Sequence, residues 1–109
     1  MTPQRGEIWC VNLELMQEAA LRKMQSYLVL TANTLNRLRQ TVIVVPLSMV
    51  ARARPPVTVS MTYQGKTTVA IIDQLRTMAK YRVHIMIETA SPARVQAILT
   101  ALAKILEMT

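Results

Sequence analysis

Short runs of aliphatic and β-branched residues, separated by polar turns, fill the chain as far as residue 90. From there the apolar spacing lengthens to the helical period. E-I-W-C-V-N-L at 7–13 predicts a strand after an Arg5-Gly6 turn, with Ile8 and Cys10 on one face and Trp9, Val11 and Leu13 on the other. Residues 14–24 contain no Gly or Pro and consist of helix formers, so they predict a short helix or ordered loop. Y-L-V-L-T at 27–31 predicts a second strand, and 32–40 a connection carrying Arg37 and Arg39. T-V-I-V-V-P-L at 41–47 is the strongest strand signal, with Pro46 expected at its end or on an edge. The paired prolines after Arg52 and Arg54 predict an extended, exposed turn. Val57–Met61 alternates as a strand and Gln64-Gly65-Lys66 predicts a hairpin turn.

V-A-I-I-D-Q-L-R-T at 69–77 stands out. Four apolar residues predict a buried strand, which then surfaces as Asp73, Gln74, Arg76 and Thr77. A turn cap by Asp73, or an Asp73–Arg76 pair, is the structural alternative to a functional role. A short strand holding His84 is expected within 81–87. Ser91-Pro92 then starts a helix, Ser as cap and Pro at the first helical position. Val95, Ile98, Leu99, Leu102 and Leu106 form its stripe, with Ile105 beside it. Several short strands followed by one helix predict a mainly β fold with α: an SH3-like small barrel plus a C-terminal amphipathic helix, in a single domain over 1–109.

The net charge of +7, with nine Arg among 13 basic residues, favours a polyanionic partner. Phe is absent and aromatics make up only 4% of the chain. That argues against base-stacking modules. Cys10 has no second cysteine to pair with and lies inside a strand pattern, so a buried, inert thiol in a reducing cytoplasm is expected. No run reaches the roughly 18 apolar residues of a membrane span, and the N-terminus lacks the apolar core of a signal peptide.

One His, one Cys and no clustered carboxylates predict no metal site. Two isolated glycines, Gly6 and Gly65, exclude Gly-rich phosphate loops, so no cofactor is expected. A Ser48–His84–Asp73 triad has no support in the spacing. What remains is a metal-free set of arginines and hydroxyls. It suits RNA cleavage by the substrate's own 2′-hydroxyl, where the protein positions the phosphate and stabilises its charge.

The order of motifs resembles the MazF/PemK/Kid toxin family of bacterial toxin–antitoxin systems. The match runs through R-G-E-I-W at 5–9, Y-L-V-L-T at 27–31, N-R at 36–37 and T-V-I-V-V-P-L-S at 41–48. It continues through R-A-R-P-P-V at 52–57 and V-A-I-I-D-Q-L-R-T at 69–77. The resemblance implies the CcdB/MazF-type plasmid-maintenance toxin fold and a homodimer. It also implies a metal-independent endoribonuclease acting on single-stranded RNA, inhibited by an acidic antitoxin protein that lies along a basic groove. The gyrase-poisoning CcdB branch shares this fold, but it relies on an aromatic-containing C-terminus, whereas this chain ends I-L-E-M-T.

The implied site departs from the family pattern. Family members carry Arg-Pro just before the L-V-L strand, and that Arg is the principal catalytic residue. Gln25 and Ser26 stand there in this chain. The family's Thr after the V-V-x-P-L strand corresponds to Ser48, which keeps the hydroxyl. The family's Gly-rich loop corresponds to the Gly-free residues 14–24. Ser48, Gln25 and, as replacement cations, Arg22 and Lys23 are therefore the candidate catalytic residues. Arg5, Arg37, Arg52, Arg54, Asp73, Gln74 and Arg76 are the candidate RNA-binding residues. Two readings stay open: an endoribonuclease, and a catalytically impaired homologue that binds RNA or antitoxin without cleaving.

Overall fold

The structure is a computed structural model that describes residues 2–12 and 24–108. In chain order the described residues form β1 (Glu7–Asn12), β2 (Met24–Val29), α1 (Asn33–Leu38), β3 (Thr41–Ser48), β4 (Thr58–Tyr63), β5 (Lys66–Ile71), β6 (Arg76–Ala79), β7 (Val83–Thr89) and α2 (Pro92–Ile105). Single 3₁₀ turns at Ile72–Gln74 and Lys80–Arg82 precede β6 and β7. The strands make one antiparallel sheet in the order β4-β5-β3-β2-β1-β7, with β6 also pairing with β3. This curled sheet with its C-terminal helix is the small-barrel architecture expected from the strand pattern. Two register shifts between β1 and β7 help to curl it, because each bulge bends the strand that carries it.

β3 is the hub. One side pairs with β2 from Val44 to Leu47. The other side pairs with β6 from Thr41 to Val44, then with β5 at Leu47 and Ser48. Val45 and Pro46 fall between those two stretches. Pro46 therefore sits inside the strand, opposite Tyr27, and not at its end. Its missing N–H falls where β3 changes neighbours, which is the local edge that proline requires. The V-A-I-I-D-Q-L-R-T segment makes that change: β5 ends at Ile71, the chain turns through buried Ile72, and β6 begins at Arg76. Ile72 N–H donates to the Val57 carbonyl at 2.9 Å, which fixes the turn.

Two cores flank the central strands. Ile8, Leu28, Val45, Leu47, Met61, Ala70 and Ile72 pack under α2 through Ile98 and Ala101. Trp9, Val11, Tyr27, Val29, Val42, Val44 and Met78 form the second core. Neighbouring residues of one strand thus enter different cores, which is why β3 reads as a continuous apolar run instead of alternating. Ser91 caps α2 by accepting a hydrogen bond from Arg94 N–H at 3.2 Å, and Pro92 opens the helix, as the sequence predicts. Val95, Leu99, Leu102 and Ile105 pack against the first core.

Several expectations need correction. Leu106 is 55% exposed and leaves the packing stripe, because the helix ends at Ile105. The second strand runs from Met24 to Val29, three residues earlier at its start than its apolar run. Its polar start is held by pairing with Asn12, Val11 and Cys10. Residues 33–38 are helical although no side chain caps their start. Instead the Lys80 ammonium donates to the carbonyls of Asn36 and Arg39, at 2.7 and 2.9 Å, and closes the far end. Cys10 is half-buried, not fully buried, and burial raises its thiol pKa above the ordinary value. The helix-or-loop expectation for 14–24 falls, apart from Met24, outside the described residues. The hairpin after β4 is confirmed: Gln64 and Gly65 both take positive φ (51° and 72°) between the paired Tyr63 and Lys66. No helix among the described residues is long and apolar enough to cross a membrane.

Candidate RNA-processing cleft

The start of β2 and the end of β3 open a cleft of about 360 Å³. Gln25 and Ser26 line it from β2, Pro46 to Ser48 from β3, and Met49 and Val50 from the loop that follows. Tyr63 enters from β4, Ile71 from β5 and Gln74 from the turn. Three candidates from the sequence meet here: Gln25, Ser48 and Gln74. None of the described lining residues is charged.

The polar groups are pinned by the fold. Ser48 Oγ accepts hydrogen bonds from the N–H groups of Val50 and Ala51, at 3.2 and 3.0 Å. This arrests the chain as it leaves the strand, and it occupies the hydroxyl's acceptor capacity, so the hydroxyl proton remains to donate. Gln25 Nε2 donates to the carbonyls of Leu47 and Ser26, at 2.7 and 3.1 Å. Only the amide nitrogen can face two carbonyls, so the orientation of Gln25 is fixed and its Oε1 is left as an acceptor. Tyr63 OH donates to Ser26 Oγ at 2.7 Å. Sequence reasoning missed Tyr63 altogether, and took Ser26 only as half of a departure from a family motif. The Ser26–Tyr63 pair lies 37 positions apart in the chain, and only the curl of the sheet joins it.

The other candidates lie around this cleft or away from it. Arg52 and Arg54 are exposed on the loop that leaves Ser48. Thr58 holds that loop, donating from Oγ1 to the Arg52 carbonyl at 2.8 Å and accepting from Arg54 N–H at 2.6 Å. Asp73 is exposed in the first turn of Ile72–Gln74, beside Gln74. Arg76 is exposed where β6 starts opposite Val44, and Arg37 is exposed in the last turn of α1. Arg5 lines a separate cavity with Thr89, Pro92 and Gln96. Arg22 and Lys23 lie outside the described residues. His84 is exposed on β7 and lines another cavity with Trp9 and Tyr81, so it shares no site with Ser48. No group of three or more potential metal-ligating side chains occurs among the described residues.

The whole architecture recurs in solved structures. A mycobacterial endoribonuclease in complex with its cognate antitoxin superposes with a TM-score of 0.81 at 25% identity, covering 98% of this chain and 97% of that one. A second structure, an endoribonuclease from a mycobacterial species, gives 0.80 at 25% identity, over 98% and 93% of the two chains. MazE–MazF from Deinococcus radiodurans gives 0.81 at 17% identity, over 100% and 99%, and so speaks to the fold alone. No curated protein matches the sequence. Residues 4–106 match the family described as PemK-like, MazF-like toxin of type II toxin-antitoxin system. With that match spanning nearly the whole chain, the protein belongs to the PemK-like, MazF-like toxin family of type II toxin–antitoxin systems.

Proposed function

We propose that the protein is a metal-independent endoribonuclease that cleaves single-stranded RNA by attack of the substrate's 2′-hydroxyl on the adjacent phosphate. The observation that carries this reading is Ser48, whose oxygen is saturated by two backbone amides while its proton is available in an open cleft. A donor held this way needs no reorganisation when negative charge grows on the phosphate. Gln25 Oε1, Gln74 and the Ser26 hydroxyl offer further polar contacts, and Arg52 and Arg54 would draw the RNA backbone toward the cleft mouth. The basic surface also suits an acidic antitoxin, and a homodimer would extend it. The mycobacterial relative is described as an endoribonuclease in complex with its cognate antitoxin, which supports both the activity and the partner.

A second reading has an observation of its own. Both amide hydrogens of Gln25 are turned to carbonyls, and the described cleft lining has no cation. A chain of this kind would bind RNA or antitoxin and cleave little. Incubation of the pure protein with a long single-stranded RNA in EDTA separates the two. The expected outcome is discrete fragments ending in 2′,3′-cyclic phosphate, with Ser48→Ala slower by about 10²-fold, the typical loss for one oxyanion donor. Intact RNA at high protein excess sinks the enzyme reading.

A further inference from the structure

The ribonuclease reading requires the cleft to bind a phosphodiester, yet no charged side chain lies among its described lining residues. The donors among the described lining residues are neutral, so their aim becomes decisive. Ser48 is one. The other is built by a pair that the strand ends bring together, Ser26 on β2 and Tyr63 on β4. Their oxygens are 2.7 Å apart, a short hydroxyl–hydroxyl bond. Tyr63 donates, so the Ser26 proton has no acceptor among the described residues. If the direction of the bond is reversed, the Tyr63 proton is the one left over. In either arrangement one hydroxyl proton of the pair is left without an acceptor among the described residues, and both residues line the cleft.

We propose that Ser26 is a second phosphodiester donor beside Ser48, and that Tyr63 is the positioning residue that keeps the Ser26 hydroxyl donating. The proposal rests on the reading of the cleft as a phosphodiester site, and not on the cleft being fast. A hydroxyl donating to a phosphate oxygen makes a charge-assisted hydrogen bond, stronger than the neutral one it would make with water or a carbonyl. Tyr63 is suited to its part because its ring packs against the first core, which leaves the phenolic oxygen little freedom.

The test uses an uncleavable probe, a single-stranded 2′-O-methyl oligoribonucleotide, titrated against wild type, Ser26→Ala, Ser26→Thr and Tyr63→Phe across a salt series, with a thermal midpoint for each protein. Ser26→Ala is expected to bind about tenfold more weakly, as for loss of one hydrogen bond to a charged group. The salt slope should be unchanged, because no cation is lost. Ser26→Thr, which keeps the hydroxyl, should restore affinity to within about threefold. Tyr63→Phe should fall between, about threefold weaker. A merely structural role would move the midpoint without this hydroxyl-dependent order. Equal binding by wild type and Ser26→Ala overturns the proposal, as does equal loss in Ser26→Ala and Ser26→Thr, or failure of the wild type to bind the probe. If Ser26→Ala does not fold, Tyr63→Phe decides alone, and binding equal to wild type overturns it. A wild type that binds the probe with this order of variants but leaves unmodified RNA intact sinks the ribonuclease reading and supports the two-hydroxyl site.

Discussion

The cleft and the arginine loop beside it leave the same strand end yet hold their polar groups in opposite ways. In the cleft, Gln25, Ser26 and Ser48 are each fixed by hydrogen bonds to backbone or to Tyr63, and the described lining carries no charge. On the loop, Arg52 and Arg54 are exposed, and among the described residues their backbone atoms are tied to Thr58 and Val57. Fixed neutral donors select a geometry. Exposed guanidinium groups attract polyanions with little geometric selection, and salt screens them. On the proposed reading, chemistry and attraction fall to adjacent but physically different surfaces.

The largest effect that separates them concerns stability. Leu28 is fully buried two positions beyond Ser26 on β2, so Leu28→Ala should cost about 3 kcal/mol in denaturant unfolding. Arg52→Ala should stay within about 0.5 kcal/mol. A small loss at Leu28 would mean that the cleft does not stand on the core. Next comes charge placed inside the cleft. Gln25→Arg should raise single-turnover RNA cleavage by at least about tenfold, since one transition-state donor is typically worth 10²–10³. No gain would mean that the neutral donor set is complete without it. Third, Arg52→Ala and Arg54→Ala should each lower the salt slope of RNA binding by about one, where Ser48→Ala leaves it unchanged. Unchanged slopes would make both arginines ordinary solvated surface.

The smallest effect lies on β1, at Cys10, which pairs with Ser26 across the strands. Burial raises the Cys10 thiol pKa, so the folded state holds that proton more tightly than the unfolded chain. Its contribution to stability is present below the unfolded thiol's pKa and fades as pH rises through the folded value. Alkylation of native Cys10 near pH 8 should accordingly be slower than that of the urea-unfolded protein, which exposes a larger thiolate fraction. Equal rates would remove the burial effect.

Much of the frame was determined by local sequence alone. The apolar runs marked the strands, Gln64-Gly65 the hairpin and Ser91-Pro92 the start of α2, because each rests on near-neighbour sterics or hydrogen bonding. Only the tertiary structure decided that 33–38 is helical, since its closing contact is Lys80, more than forty positions away. Pro46 belongs inside β3 for a similar reason: the strand changes partners there, and no local pattern carries that information. Within the site, the sequence supplied Ser48, Gln25 and Gln74 as chemical types. The pairing of Ser26 with Tyr63, and the absence of charge among the described residues around them, came from the curl of the sheet. A hydroxyl's role depends on what fills its lone pairs, and that partner is chosen by folding.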